Sequence, residues 1–179
     1  MALEDDPPPG PLGLFLGFWQ DETVVIRSPL APAEALTALS GQVDPLFTLF
    51  GKRPARGHVG AGGGWIRRRI SGRNSAQSVL RFEVEPEGSG SRIACHIGAS
   101  WFSRGFLIFW MGGIILSSGR ATLSSLSSGQ YLVPAVLSGM LLFGGLLVVF
   151  GRWLARGDKP FLVDLVVGTV DGRVERPRG

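Results

Sequence analysis

Apolar residues follow three successive regimes along this chain. Up to residue 56 they come in short clusters broken by proline, glycine and acid, from 57 to 100 they alternate with polar residues, and beyond Arg104 they run on without charge. The first cluster, residues 12–19, is too short to span a bilayer. Glu4, Asp5 and Asp6 stand where a secretory signal needs positive charge. Two readings of this cluster stay open: a buried strand or segment lying on the domain, or an interfacial anchor with Phe15, Phe18 and Trp19 at headgroup level. Residues 23–27 form a β-branched run, and a helix is expected from about 32 to 43, because Pro32 suits a first turn and Leu36, Leu39 and Val43 share one face. From Gly57 the period becomes two. Residues 58–60, 65–70, 76–85 and 92–100 read as three or four antiparallel strands, with turns at 62–64 and 86–90. Strand, helix and meander predict an α+β cytoplasmic domain, an antiparallel sheet plus one or two helices, over residues 23–104. Residues 1–22 precede it as a proline-rich and apolar segment.

Residues 105–119 carry no charge between Arg104 and Arg120, and residues 131–151 carry none before Arg152. The second stretch matches the roughly 20 residues that cross a bilayer. The first reaches only about 22 Å as a helix, so spanning requires its arginines to snorkel or the bilayer to thin. The pattern predicts a two-helix transmembrane hairpin over residues 105–151 with a loop at 120–130; the competing reading is a buried helical pair in a soluble oligomer. Arg92, Arg104, Arg152, Arg156 and Lys159 flank the terminal side and Arg120 alone lies in the loop, which places both termini in the cytoplasm. Within the hairpin, Gly113 and Ser117 are four apart, as are Ala135 and Gly139, at similar depth in an antiparallel pair. These four are expected to line the helix–helix contact, with Gly144 and Gly145 as a competing small patch. Residues 152–179 form a cytoplasmic tail with a short helix that starts at Asp158-Lys159-Pro160 and shares Phe161, Leu165 and Val166 on one face. A β-hairpin competes there, because Asp171-Gly172 is a strong turn signal after a valine-rich run.

Composition supports the membrane reading: of 179 residues 45% are hydrophobic and only 18% charged. The net charge of +4 hides a split, −6 over residues 1–50 and +8 over residues 51–82. The basic block contains one aromatic residue, Trp65, and no nucleic-acid-binding motif, so nucleic acid is not an expected partner. A single cysteine, Cys95, excludes an internal disulfide framework and a multi-cysteine zinc site.

No catalytic constellation emerges. Cys95 and His96 are neighbours in a predicted strand, so their side chains point to opposite faces. A pocket enzyme using Cys95 or His58 is the rival reading, against a buried structural cysteine. The glycines at 60–64 precede a strand where a dinucleotide fingerprint needs a helix, and no Gly-Lys precedes Ser or Thr, so no cofactor is expected. Glu83, Glu85 and Glu87 share one strand face, as a solvated surface would. In the stretch 65–70, alternation puts Trp65, Arg67 and Arg69 on one face and Arg68 between Ile66 and Ile70 on the other, where Arg68 must find a carboxylate or lie at the sheet margin. Arg67, Arg69 and Arg73 are the candidates for contact with anionic lipid, and Lys52, Arg53 and Arg56 of the preceding basic loop could join them; the alternative is pairing with the acids of residues 1–50.

The segment Arg68-Arg69-Ile70-Ser71-Gly72-Arg73-Asn74-Ser75, read with Phe50-Gly51, Gly57, Ser91-Arg92-Ile93 and the apolar run from 106, resembles a group of uncharacterised small bacterial membrane proteins with an arginine-asparagine-serine segment ahead of a hydrophobic hairpin. The resemblance covers roughly residues 23 to 115, and Ala76 stands where the group usually has an aromatic. It implies architecture and a bacterial inner (cytoplasmic) membrane, and no activity. The functional expectation is therefore a membrane-anchored cytoplasmic binding module. Its partners are the lipid bilayer, and a membrane-protein partner or a second copy within a larger assembly, as an accessory subunit.

Overall fold

The computed structural model describes residues 10–46, 48, 51–69, 77–128 and 132–175, with side chains of 124–128 set aside. Twelve elements follow in order: α1 (Pro11–Gly17), β1 (Glu22–Ser28), α2 (Pro32–Gly41), β2 (Val43–Pro45), β3 (Ala55–Val59), β4 (Gly63–Arg68), β5 (Ser78–Glu87), β6 (Gly90–Ala99), α3 (Trp101–Ser128), α4 (Leu132–Leu154), α5 (Asp158–Thr169) and β7 (Arg173–Glu175). The strands form one mixed seven-stranded sheet, ordered β2-β3-β4-β5-β6-β1-β7. All its pairs are antiparallel except β2 with β3. The α+β architecture expected from the alternation is thus present. Glycine sits at 63 and 64 because β4 runs so close to its neighbours that a Cβ there would overlap the carbonyls of Phe82 or His58.

One face of the sheet is covered and the other is open. Alternation aims Ile26, Ile66, Leu80, Phe82, Val84, Ile93, Cys95 and Ile97 at the covered face, where all are buried. Helix α2 supplies Ala35 and Leu39 to this core, and α5 supplies Leu162, Val163 and Val166, followed by Val170. Residues 158–170 lie beyond the hairpin in sequence, so what reads as a tail completes the domain's core. Helix and turn signals in this region are both used. The helix runs to Thr169, Asp171 takes φ 48°, and the chain turns into β7, which pairs with β1 instead of folding back on the valine run. The Ser28 hydroxyl locks the corner by donating to the Val170 carbonyl at 2.6 Å.

Helices α3 and α4 are long and apolar enough to cross a membrane. Helix α3 has 28 residues and extends past both Arg104 and Arg120, about 42 Å in all, so most of the expected 120–130 loop is helical. Only 11% of each apolar window is buried inside the molecule, and residues such as Phe109, 81% exposed, turn outward to form a large apolar surface.

The contact between the two helices differs from the small-residue expectation. Gly113, Ser117, Ala135 and Gly139 are exposed, and a Cβ at Gly113 or Gly139 would meet nothing. The buried positions are instead Leu107 and Ile114 on α3 and Gly144 and Val148 on α4. A Cβ at Gly144 would overlap the Trp110 ring. The physical reason is that an indole seated against a glycine notch makes more contact than two facing small grooves, because dispersion gain scales with the atoms brought together. The sequence reading weighed small residues and missed the large partner one of them admits.

Helix α1 packs on this pair. Phe18 is buried with Ala99, Leu107 and Val148, while Phe15, Trp19, Trp110 and Met111 surround them. The 12–19 cluster is therefore a short helix on the hairpin, not a strand, and it leaves Leu12 and Leu16 exposed beside α4.

Candidate binding site on the open sheet face

Basic side chains gather where the helices leave the domain, and two of them, Arg104 and Arg152, tie the hairpin to it. Arg104 donates to the Phe18 carbonyl at 3.0 Å and pairs with Asp21 at 2.6 Å. Arg152 of α4 donates to the Ser78 hydroxyl at 3.1 Å, Lys159 reaches Glu22 at 2.6 Å, and Arg156 lies 4.9 Å over the Trp153 ring. Trp101, 75% exposed, and Phe102 stand at the same level. The two ties fix which end of the sheet is nearest the hairpin: the end of β6 at Ala99, and the positions paired to it.

On the open face the strand register builds rows of side chains. The row nearest the hairpin runs Gly98, Val79, Arg67, Arg56, and the next runs Thr23, His96, Arg81, Trp65, His58. Further out come Val25, Ala94 and Glu83, then Arg27, Arg92 and Glu85. The face thus changes character along its length: near the hairpin Arg56, Arg67 and Arg81 stand with Trp65 between Asp44, in register beside Arg56, and Asp21 over Gly98, and farther out Arg27 and Arg92 alternate with Glu83 and Glu85. A groove of about 750 Å³ crosses it over the bare glycines, bordered by Asp21, Trp65, Arg81, Glu83 and His96.

Each candidate residue now has a place. Arg67 lies on the open face, directly across from Arg56. Arg69 is held within the molecule: its guanidinium pairs with the buried Asp44 at 2.8 Å, so its expected part in lipid contact is corrected in favour of pairing with the acids of residues 1–50. Arg53 donates its backbone N–H to the same carboxylate at 3.1 Å. The physical reason is burial, since a shielded carboxylate must collect donors. Arg73, with the arginine-asparagine-serine segment, lies outside the described residues. Arg56, expected in the basic loop beside this face, lies instead in strand β3, and Arg81 was not singled out from the sequence, although period-two register across β4 and β5 would place it beside Arg67.

The sheet separates Cys95 from His58. Cys95 is fully buried in the core, and burial pushes its thiol up to about 12, so it stays protonated and a poor nucleophile. His58 stands on the opposite face. His96, also on the open face, lies 3.1 Å from the Thr23 hydroxyl. Among the described residues no three histidine, cysteine or acidic side chains gather to hold a metal ion.

On the covered face Arg68 does meet a carboxylate. Its guanidinium lies 3.9 Å from Asp158, at the start of α5, and 4.8 Å over the Phe161 ring. Asp158 is only 3% exposed. Burial raises its pKa above the ordinary carboxylate value, opposed by the Ser78 backbone bond and by Arg68 and Arg152. The native state therefore keeps this proton to higher pH than the unfolded chain does. Its contribution to stability is full below the ordinary carboxylate pKa and is lost as pH rises through the raised native value. Asp158→Asn should accordingly flatten the pH dependence of the melting temperature between acid and neutral conditions; an unchanged profile would locate that dependence elsewhere.

Compared with known proteins, this chain matches no family model, no curated protein and no solved structure.

Proposed function

We propose that this chain is a membrane-anchored cytoplasmic binding module without a catalytic centre, and that the open face of its sheet is the binding surface. The observation that carries the reading is the pairing of an uncovered sheet face bearing Arg56, Arg67 and Arg81 with a two-helix anchor, joined through Arg152 on Ser78 and Arg104 on Asp21. A sheet in an isolated soluble domain would satisfy its second face with a polar, charge-balanced surface or a second helical layer. This one keeps arginines beside Trp65 at the end nearest the anchor. The partner classes it suits are anionic headgroups or an acidic protein surface. The buried, protonated Cys95 supports a non-enzymatic role, since the remaining candidate, His58, has no nucleophile or carboxylate partner among the described residues.

Cysteine labelling tests the topology. In a Cys95→Ser background, Leu123→Cys at the far end of α3 should be labelled from outside the cell and Ser89→Cys in the domain should not; the reverse pattern would invert the orientation. The binding role is tested in cells carrying Cys95→Ser with His58→Ala, which should keep the wild-type phenotype, against Arg67→Glu with Arg81→Glu, which should lose it. Loss of phenotype in the first pair would return the enzyme reading.

A further inference from the structure

Arg56 and Arg67 face each other across β3 and β4, at the roughly 4.5–5.5 Å Cα separation of an antiparallel pair. Arg81 is the diagonal neighbour of Arg67 through Val79, about 7–8 Å away. Like charges set directly opposite destabilise a sheet; Asp44, in register beside Arg56, and Asp21, over Gly98, lie in the same row but are held by other arginines. Among the described residues none of the three arginines has a hydrogen-bond or ion-pair partner, and the Arg56 Nε is shielded from solvent without an acceptor. The acids within reach are otherwise engaged or face outward: Asp44 is taken by Arg69 and Arg53, Asp21 by Arg104, and Glu83 stands one row beyond Arg81 over Gly63.

We propose that Arg56, Arg67 and Arg81 bind the phosphate of an anionic phospholipid headgroup in the bilayer that the hairpin enters. The proposal rests on the membrane-anchored reading and names the ligand class for the same face. Guanidinium groups fit a phosphodiester because their planar N–H forks meet two of its oxygens at once, and an anion between opposed arginines turns their repulsion into attraction. Position favours a headgroup over a soluble anion: the Arg56–Arg67 row is in register with Gly98, three residues before Trp101 opens α3, and so lies at the end of the sheet from which the hairpin leaves. Trp65, beside Arg81, offers the amphipathic ring that sits well among headgroups.

The test uses the full chain in detergent micelles, titrated with phosphatidylglycerol or phosphatidylcholine and read by native mass spectrometry. Phosphatidylglycerol should be retained preferentially, about fivefold less tightly for each arginine removed, so Arg56→Gln with Arg67→Gln should weaken it about 25-fold. Arg27→Gln with Arg92→Gln removes the same charge from the far rows and should leave retention unchanged. Added inorganic phosphate should not displace the lipid at concentrations matched to it; displacement would replace the headgroup by a soluble anion and overturn the proposal. Should the double variant fail to fold, Arg81→Gln alone carries the fivefold expectation. Equal retention of the two lipids, or equal losses in the near and far pairs, would also overturn it. Alkaline carbonate extraction separates the two levels: a chain washed out of membranes defeats the anchored reading, whereas a chain that stays and shows no lipid preference defeats only the site.

Discussion

A chain ending at Leu154 is expected to lose its folded domain, even though every residue from β1 to β6 is still present. Helix α5 brings Leu162, Val163 and Val166 into the core, and Val170 follows, all of them buried. Without them the part of the covered face on β4 and β5 against which α5 packs would lose its cover, although α2 remains on β3, β5 and β6. Fully burying one such leucine or valine contributes about 1.5–3 kcal/mol, and a domain's whole stability is only about 5–15 kcal/mol. The milder form of the same experiment is Leu162→Ala in the complete chain, with an expected cost of about 2–5 kcal/mol. Limited proteolysis and amide exchange of the reconstituted protein are the measurements. A truncated chain that keeps protected β5 and β6 amides would show that α5 is dispensable, and the account of the core given above would fall. The same reasoning means that residues 23–104 should not be studied as a free fragment.

The second large effect is expected at Gly144. Replacing it with leucine puts a side chain where the Trp110 ring lies, and overpacking of this kind costs about 1–3 kcal/mol. Gly113→Leu and Gly139→Leu should be nearly silent, because both positions open outward. Disulfide crosslinking between α3 and α4, or the loss of Trp110 fluorescence anisotropy, would report the loosening. Equal effects at all three glycines would mean that the helices meet along a different face.

How much of this was legible beforehand follows the range of the interaction concerned. Period two along 57–100 marked the strands, and it also assigned Arg67 and Arg68 to opposite faces, because side-chain alternation is a property of the single strand. The two uncharged stretches marked the long helices for the same local reason. Whether Arg69 reaches a lipid or an acid was beyond local reading: Asp44 lies 25 residues away, and only the parallel pairing of β2 with β3 brings it alongside. The tail shows the same limit. Its helix and turn signals were both present in the sequence, but whether β7 would pair with the preceding residues or with β1 is a matter of tertiary contact.

What the sequence determined by itself was therefore the alternating α+β domain, the two apolar helices and the basic flanks. Each of these is written in the spacing of side chains within one element. Only the tertiary structure decided that α5 closes the core from beyond the hairpin, that Trp110 selects Gly144 over the four small residues, that Cys95 and His58 stand on opposite sides of a sheet, and that Arg56 and Arg81 join Arg67. Those outcomes depend on which strands become neighbours and in what register, a choice made by burying the most apolar surface over the whole chain at once.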